Sequence, residues 1–317
     1  MYRIRTLERG AGDPEGFSRH SEPVQDVALS WQQAAWLTGG LGAGATALTL
    51  TRHGRWRSWA PFARESTMIA GLYSLWQLAG TLSVLGTRGA FARARWIERA
   101  ERRLHLPSEA HLQRLTTARS SFLAQAANLY YATMHFGVLF VFLVWLFVRH
   151  RDRYRPVRRV LGLTTLVCLL IQLIPVAPPR LLPAAGYVDT AAQYGESVYN
   201  AFGADELSAM PSVHVAWAVL IGWATVRIGR GAGRWLGPLH AIVTVLVVVI
   251  TANHFWADGI VAVAVLIVCA AAEKAGRTAL DTWQRRRSKD ADQNPDPDSD
   301  PDRPAGPARP AEWAVRG

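Results

Sequence analysis

The chain has 317 residues, of which 50% are apolar and 19% charged, and its formal net charge is +11. The positive charge is almost all arginine, in clusters that alternate with long apolar runs, which is a pattern of membrane topology. Zinc-ligand spacing, an RNA-binding aromatic signature and a basic heptad helix are all missing from the sequence, which removes nucleic acid as a partner.

Residues 1–27 are polar and aperiodic. They open with Arg3, Arg5 and Arg9 but have no apolar centre, so they read as a disordered segment and not as a cleaved signal peptide. Residues 28–66 hold an extra N-terminal helix at 30–50, weakened by Gly39, Gly40, Gly42 and Gly44, and then a basic loop. Residues 67–273 form the core, with apolar segments near 67–86, 123–148, 159–177, 211–228, 236–252 and 254–273. A bilayer span needs ~20 residues. The last two segments make one run too long for a single span, and Thr251-Ala252-Asn253 supplies the break and the caps for two antiparallel helices. Between the first two core segments, Phe91, Ala94, Ile97, Ala100 and Leu104 recur at helical spacing with arginines between them. Residues 88–119 therefore read as an amphipathic helix on the membrane surface. The tail 274–317 is basic, then rich in Pro and Asp, and from about 285 reads as disordered. Cys168 and Cys269 lie inside apolar runs and read as small buried hydrophobes. The sum is an all-α integral membrane protein: a six-helix core plus one extra N-terminal transmembrane helix.

Arginine placement orients it. With helices alternating sides, 51–66, 149–158, 229–235 and the C-terminal tail share one face and carry most of the charge, so that face is expected in the cytoplasm of a plasma-membrane protein. The 178–210 loop on the other face has Arg180 as its one basic residue. Residues 88–119 fall on that outer face too and contradict the trend, which is the reason for reading them as a surface helix.

Three motifs converge on the outer face. In Asn253-His254-Phe255-Trp256-Ala257-Asp258, His254 and Asp258 are four apart at a helix start and share a face. A carboxylate there can accept from imidazole Nδ1, fix the tautomer and leave Nε2 as a nucleophile; taken alone, such a pair also serves to tie two helices together. In Met210-Pro211-Ser212-Val213-His214, Pro suits a first helical turn and Ser suits its cap. His214 then sits where an anion is favoured and can protonate a leaving alkoxide; the plainer reading is a polar helix end. In Pro178-Pro179-Arg180 the prolines end a helix and hold a guanidinium that can grip phosphate in bidentate fashion; the plainer reading is a snorkelling arginine. Ionisable groups at a membrane boundary are expensive without a task, and these complement one another for phosphoryl transfer from a lipid.

These motifs resemble the type-2 phosphatidic-acid phosphatase superfamily, in the branch of inositol-phosphorylceramide-synthase-like proteins, marked by P-P-R, M-P-S-x-H and N-H-x-x-x-D. A weaker match is Asn128-Tyr131-His135, with Tyr131 and His135 on one helix face. The resemblance covers about residues 67–273. It implies a six-helix core working without metal or other cofactor, with His254 as the nucleophile that becomes a phosphohistidine. Asp258 would orient it, His214 would act as the acid, and Arg180 would bind phosphate. It also implies a phospholipid or isoprenoid-phosphate substrate within the lipid bilayer, with water or an alcohol such as inositol as acceptor. Two departures stand out: Leu173 lies where the phosphatase pattern has Lys, and Val247-Val248 lie where it has Ser-Arg. The losses favour the lipid phosphotransferases. They leave Ser212, Asn253, His135, Tyr131, Asn128 and Tyr199 as candidates for further substrate or supporting contacts; for His135 a helix–helix hydrogen bond is an equal reading. Two other classes compete: a transporter whose ionisable groups line a pathway, and a metal-dependent hydrolase with His214, His254 and Asp258 as ligands.

Overall fold

Inside a bilayer the main chain has no water to bond, so apolar runs of spanning length close their hydrogen bonds internally as helices. The computed structural model describes residues 31–51, 54–57, 59–85, 89–194 and 207–293. Segment 1–27, Tyr199 and residues 294–317 lie outside the described residues. In chain order the helices longer than one turn are α1 (Trp31–Leu50), α2 (Ala60–Leu85), α3 (Ala90–Arg103), α4 (Glu109–Leu115), α5 (Ser121–Arg149), α6 (Arg151–Gln172), α7 (Val213–Ile228), α8 (Leu236–Ile250) and α9 (Trp256–Gln293). Among the described residues there is no strand, only one isolated parallel bridge between Val176 and Ser208. The protein is an all-α membrane protein. Ser121–Arg149, Ala232–Ile250 and Trp256–Lys289 are long and apolar enough to cross a membrane, and Val213–Ile228 is a shorter apolar helix.

Helix α2 and helices α5 to α9 correspond to the six expected core segments, and α1 packs along α2 as the extra one. The central seam is apolar on four helices: Phe142 and Leu146 of α5, Val160 and Leu161 of α6, Leu220 and Ile221 of α7, and Leu266 of α9. Phe140, Ile242 and Ile267 are each at least 60% exposed and face outward, as lipid-contacting side chains do. Helices α7 and α8 meet at Gly237, where a Cβ would stand 2.0 Å from Thr225 Oγ1. That contact sets the hairpin whose far ends carry His214 and the 251–255 turn. Ion pairs gather at the opposite end of the bundle, where Arg158 meets Glu65 and Arg159 meets Glu273 at 3.6 Å.

Several boundaries differ from expectation. Helix α6 begins at Arg151, with only His150 between it and α5, because the basic run is itself helix-competent. It ends at Gln172, since Val176 leaves the helix to bond across the site: its N–H donates to Leu207 O at 2.7 Å. The single amphipathic helix expected over 88–119 is two, α3 and α4, broken where His105 takes a left-handed φ of 56°. Its apolar stripe (Ala90, Ala94, Ile97) is buried against Ala177, Leu182, Tyr187 and Phe255 of the protein, so the segment caps the bundle. Phe91 and Leu104, read as part of that stripe, are instead exposed at 40% and 72%. Helix α9 runs past 285 to Gln293, so the expected tail starts too early. No Pro or Gly follows Gly276 until Pro295, and Arg277 pairs with Glu273 at 2.9 Å along the helix.

Candidate functional site

The three motifs meet at the end of the bundle capped by α3 and α4, and main-chain bonds join them. Arg180 N–H donates to Ala252 O at 2.8 Å, which ties the first motif to the turn before His254. Ala209 N–H donates to Val176 O at 3.1 Å, which ties the first to the second. Ser212 N–H donates to Asp258 O at 3.2 Å, which ties the second to the third. The turn itself is held by Val248 O, which accepts from Asn253 N–H at 3.0 Å and His254 N–H at 3.2 Å. Ala252, buried with φ 53°, makes the sharp reversal. Asn253 Nδ2 donates to Thr251 Oγ1 at 2.8 Å.

His254 precedes α9 rather than riding on it, so it does not share a helix face with Asp258. The two still approach, through the cap. Asp258, fully buried in the first turn, accepts Phe255 N–H at 2.9 Å on Oδ2, and the same oxygen is 3.4 Å from His254 Nδ1. The closer partner of Nδ1 is Ala209 O, at 2.7 Å. A carbonyl can only accept, so Nδ1 carries the proton and the lone pair of a neutral ring is on Nε2. That Nε2 is buried and has no hydrogen-bond partner among the described residues.

Ser212 is the cap of α7: fully buried, its Oγ accepts from Val215 N–H at 3.4 Å, and Pro211 lies just before the cap instead of in the first turn. His214 therefore enters the site in the first turn of α7. Its ring stacks on Tyr131 at 4.4 Å between centroids, meets His135 edge-on at 4.2 Å, and lies 5.7 Å from the His254 ring. The weaker motif on α5 thus converges with the stronger ones. His135 Nδ1 bonds Tyr131 O at 2.8 Å within the helix, so its ring is held at a fixed angle beside His214. Asn128 is buried, accepts from Thr190 Oγ1 at 3.4 Å and leaves Nδ2 without a partner among the described residues.

Arg180 is buried on the one-turn helix Pro179–Leu181, eight residues beyond the end of α6 and not at a helix end made by the prolines. Its Nη1 donates to Asp189 Oδ2 at 2.6 Å, while Asp189 Oδ1 caps the next turn through Ala192 N–H at 3.0 Å. The guanidinium is oriented by a carboxylate that the sequence reading did not include. Leu173 closes the end of α6, and Val247 and Val248 are buried side chains of α8. Where the phosphatase pattern has Ser-Arg, this chain has packing, and Val248 contributes its carbonyl in place of a side chain; Leu173, where the pattern has Lys, is exposed. Among the described residues no three His, Cys, Asp or Glu side chains are grouped as metal ligands.

Two further carboxyls were missed. Glu101 Oε1 accepts from Ala257 N–H at 2.7 Å, and Glu109 Oε1 accepts from Trp256 N–H at 3.3 Å. With Asp258 on Phe255 N–H, three successive main-chain donors at the start of α9 each meet a carboxyl oxygen, which satisfies a helix end otherwise short of partners. Burial and the neighbouring Glu109 push Glu101 up to about 9, so at neutral pH it carries a proton. Tyr187 donates to Glu109 Oε2 at 3.2 Å, and burial raises its phenol. The signal for Glu101 was present: it continues Ala90, Ala94 and Ile97 at helical spacing, a charge in line with a buried stripe. Glu109 and Asp189 had no such mark.

A family model described as PAP2 superfamily matches residues 95–272, which takes in α4 to α8, all three motifs, most of α3, and α9 as far as Ala272. No curated protein and no solved structure matches the chain.

Proposed function

The chain belongs to the PAP2 superfamily, whose chemistry is phosphoric-ester cleavage and transfer at membranes, and from that premise we propose a lipid phosphotransferase or phosphatase working through a phosphohistidine on His254. The observation that carries the proposal is the state of that ring: Nδ1 is locked as a donor to Ala209 O, and a buried Nε2 is left with its lone pair unengaged. Nε2 attacks phosphorus and the phosphorus–oxygen bond to the lipid alcohol breaks. The departing alkoxide takes a proton from the His214 imidazolium. Water or an alcohol then gives that proton back to His214 as its oxygen attacks, and the phosphorus–nitrogen bond breaks. Arg180, set by Asp189 and fixed through its N–H to the Ala252 turn, supplies positive charge for the phosphoryl oxygens.

The P-P-R, M-P-S-x-H and N-H-x-x-x-D motifs, with valines in place of the phosphatase Ser-Arg, support the inositol-phosphorylceramide-synthase-like branch and an alcohol acceptor such as inositol. The donor is a phospholipid or isoprenoid phosphate of the plasma membrane. Within the 178–210 loop Arg180 is the one basic residue, and that supports a site on the extracytoplasmic face, with the arginines of α3 and α4 running against the trend.

The test uses purified protein in detergent with EDTA, a panel of lipid phosphates and phosphodiesters, and added inositol. Free phosphate and new lipid products are both measured, and the phosphoenzyme is trapped. An acid-labile, alkali-stable phosphoenzyme that is lost in His254→Ala is expected. Stoichiometric zinc, with turnover lost on its removal, overturns the reading, as does a phosphoenzyme that persists in His254→Ala.

A further inference from the structure

The end of the bundle away from His254 holds a cavity of about 1540 Å³ between α5, α6, α7 and α8. That is larger than the ~300–1,000 Å³ usual for small-molecule pockets. Its deeper wall is apolar, with Val138, Phe142 and Ile221. Its rim is cationic. Arg153 and Arg277 are paired with Asp152 and Glu273. Arg149, Arg227, Arg230 and Arg234 have no carboxylate partner among the described residues; instead Arg227 lies 5.9 Å over Trp223 and Arg234 lies 5.1 Å over Trp235. Trp145 and Trp223 line the same cavity, and indoles are enriched at membrane interfaces.

We propose that this cavity is a binding site for one anionic phospholipid of the adjacent leaflet, with its phosphate among the arginines and its upper acyl chains along the apolar wall. The shape and the charge select this occupant together. Four guanidiniums lacking carboxylates concentrate uncompensated positive charge at one rim, and basic pockets between membrane helices suit anionic headgroups. The apolar wall below them gives a free phosphate nothing to cover and gives acyl chains a continuation of the bilayer. The site is separate from the His254 chemistry and does not rest on the phosphohistidine reading.

Native mass spectrometry of the full chain in detergent, titrated with dioleoyl phosphatidylglycerol, tests this. One phosphatidylglycerol per chain is expected to be retained, with phosphatidylcholine of the same chains and glycerol 3-phosphate both failing to replace it. Arg149→Gln/Arg230→Gln/Arg234→Gln should weaken retention about 100-fold, by loss of three cation contacts near the headgroup. Arg95→Gln/Arg99→Gln/Arg103→Gln, which removes equal charge from exposed positions on α3, should leave it unchanged. Val138→Trp keeps every charge but fills the apolar wall, and should also weaken retention; it carries the test if the triple variant does not fold. Equal losses in the two arginine triples, equal retention of phosphatidylcholine, displacement by glycerol 3-phosphate, or full retention in Val138→Trp each overturn the proposal.

Discussion

The carbonyl oxygen of Ala209 lies 2.7 Å from Nδ1 of His254, closer than the 3.4 Å to Asp258 Oδ2. The tautomer of His254 therefore has a main-chain guardian, and the carboxylate contributes charge and the Phe255 cap. Where a carboxylate alone selects the tautomer of a catalytic histidine, its amide replacement costs about 10⁴-fold. Asp258→Asn should cost less here, about 10²-fold in kcat/KM on a lipid phosphate. A loss of about 10⁴-fold would show that Ala209 does not hold the tautomer.

In the proposed mechanism His214 and His254 act at different steps. General acid assistance is worth roughly 10²–10⁴-fold and matters only for a poor leaving group. His214→Ala should therefore lose about that factor on a lipid ester and far less on an activated aryl phosphate, in parallel steady-state assays. Equal losses on the two substrates remove His214 from the acid role.

Glu101 gives the fold a pH dependence of defined sign. Its carboxyl, faced by Glu109, Asp258 and Tyr187, is pushed by burial up to about 9 from an ordinary 4.5. Between those values the folded protein keeps a proton that the unfolded chain has released. The contribution is whole below about 4.5 and is lost as pH rises through about 9. Glu101→Gln retains an oxygen for Ala257 N–H and has no proton to lose. Its thermal midpoint in detergent should gain on the wild type as pH is raised from about 5 to about 9. Parallel midpoints over that range would show that Glu101 does not titrate there.

The proposed topology rests on arginine placement and is tested by labelling. Ala184, exposed near Arg180, and Arg153, exposed at the opposite end, lie on different sides of the bundle. On intact cells an impermeant thiol reagent should modify Ala184→Cys and spare Arg153→Cys. The reverse pattern would put the site in the cytoplasm.

Much of the fold was legible because a bilayer reduces it to apolar length. The break at Thr251-Ala252-Asn253 fell where α8 ends, at Ile250, and the run at 30–50 became α1. The ends of α6 and α9 were not legible. Arginine is helix-competent in Arg151–Arg159, and the polar stretch after Glu273 has no breaker, so hydropathy marks neither boundary. The motif side chains were legible because they are ionisable groups at apolar ends. The Ala209 and Val248 carbonyls were not, since every residue has one and only the folded path assigns it a partner. The role of residues 88–119 was hidden for a related reason: an amphipathic stripe is the same whether lipid or protein covers it.

The bonds that space Arg180, His214 and His254 run through carbonyls of Val176, Val248, Ala252 and Asp258, not through their side chains. Peptide groups do not change when a codon does. The reacting atoms can therefore keep their spacing while the surrounding side chains diverge. A lineage built this way is free to explore new donors and acceptors by drift in the walls, with its chemistry held constant by the one part of a protein that mutation leaves alone.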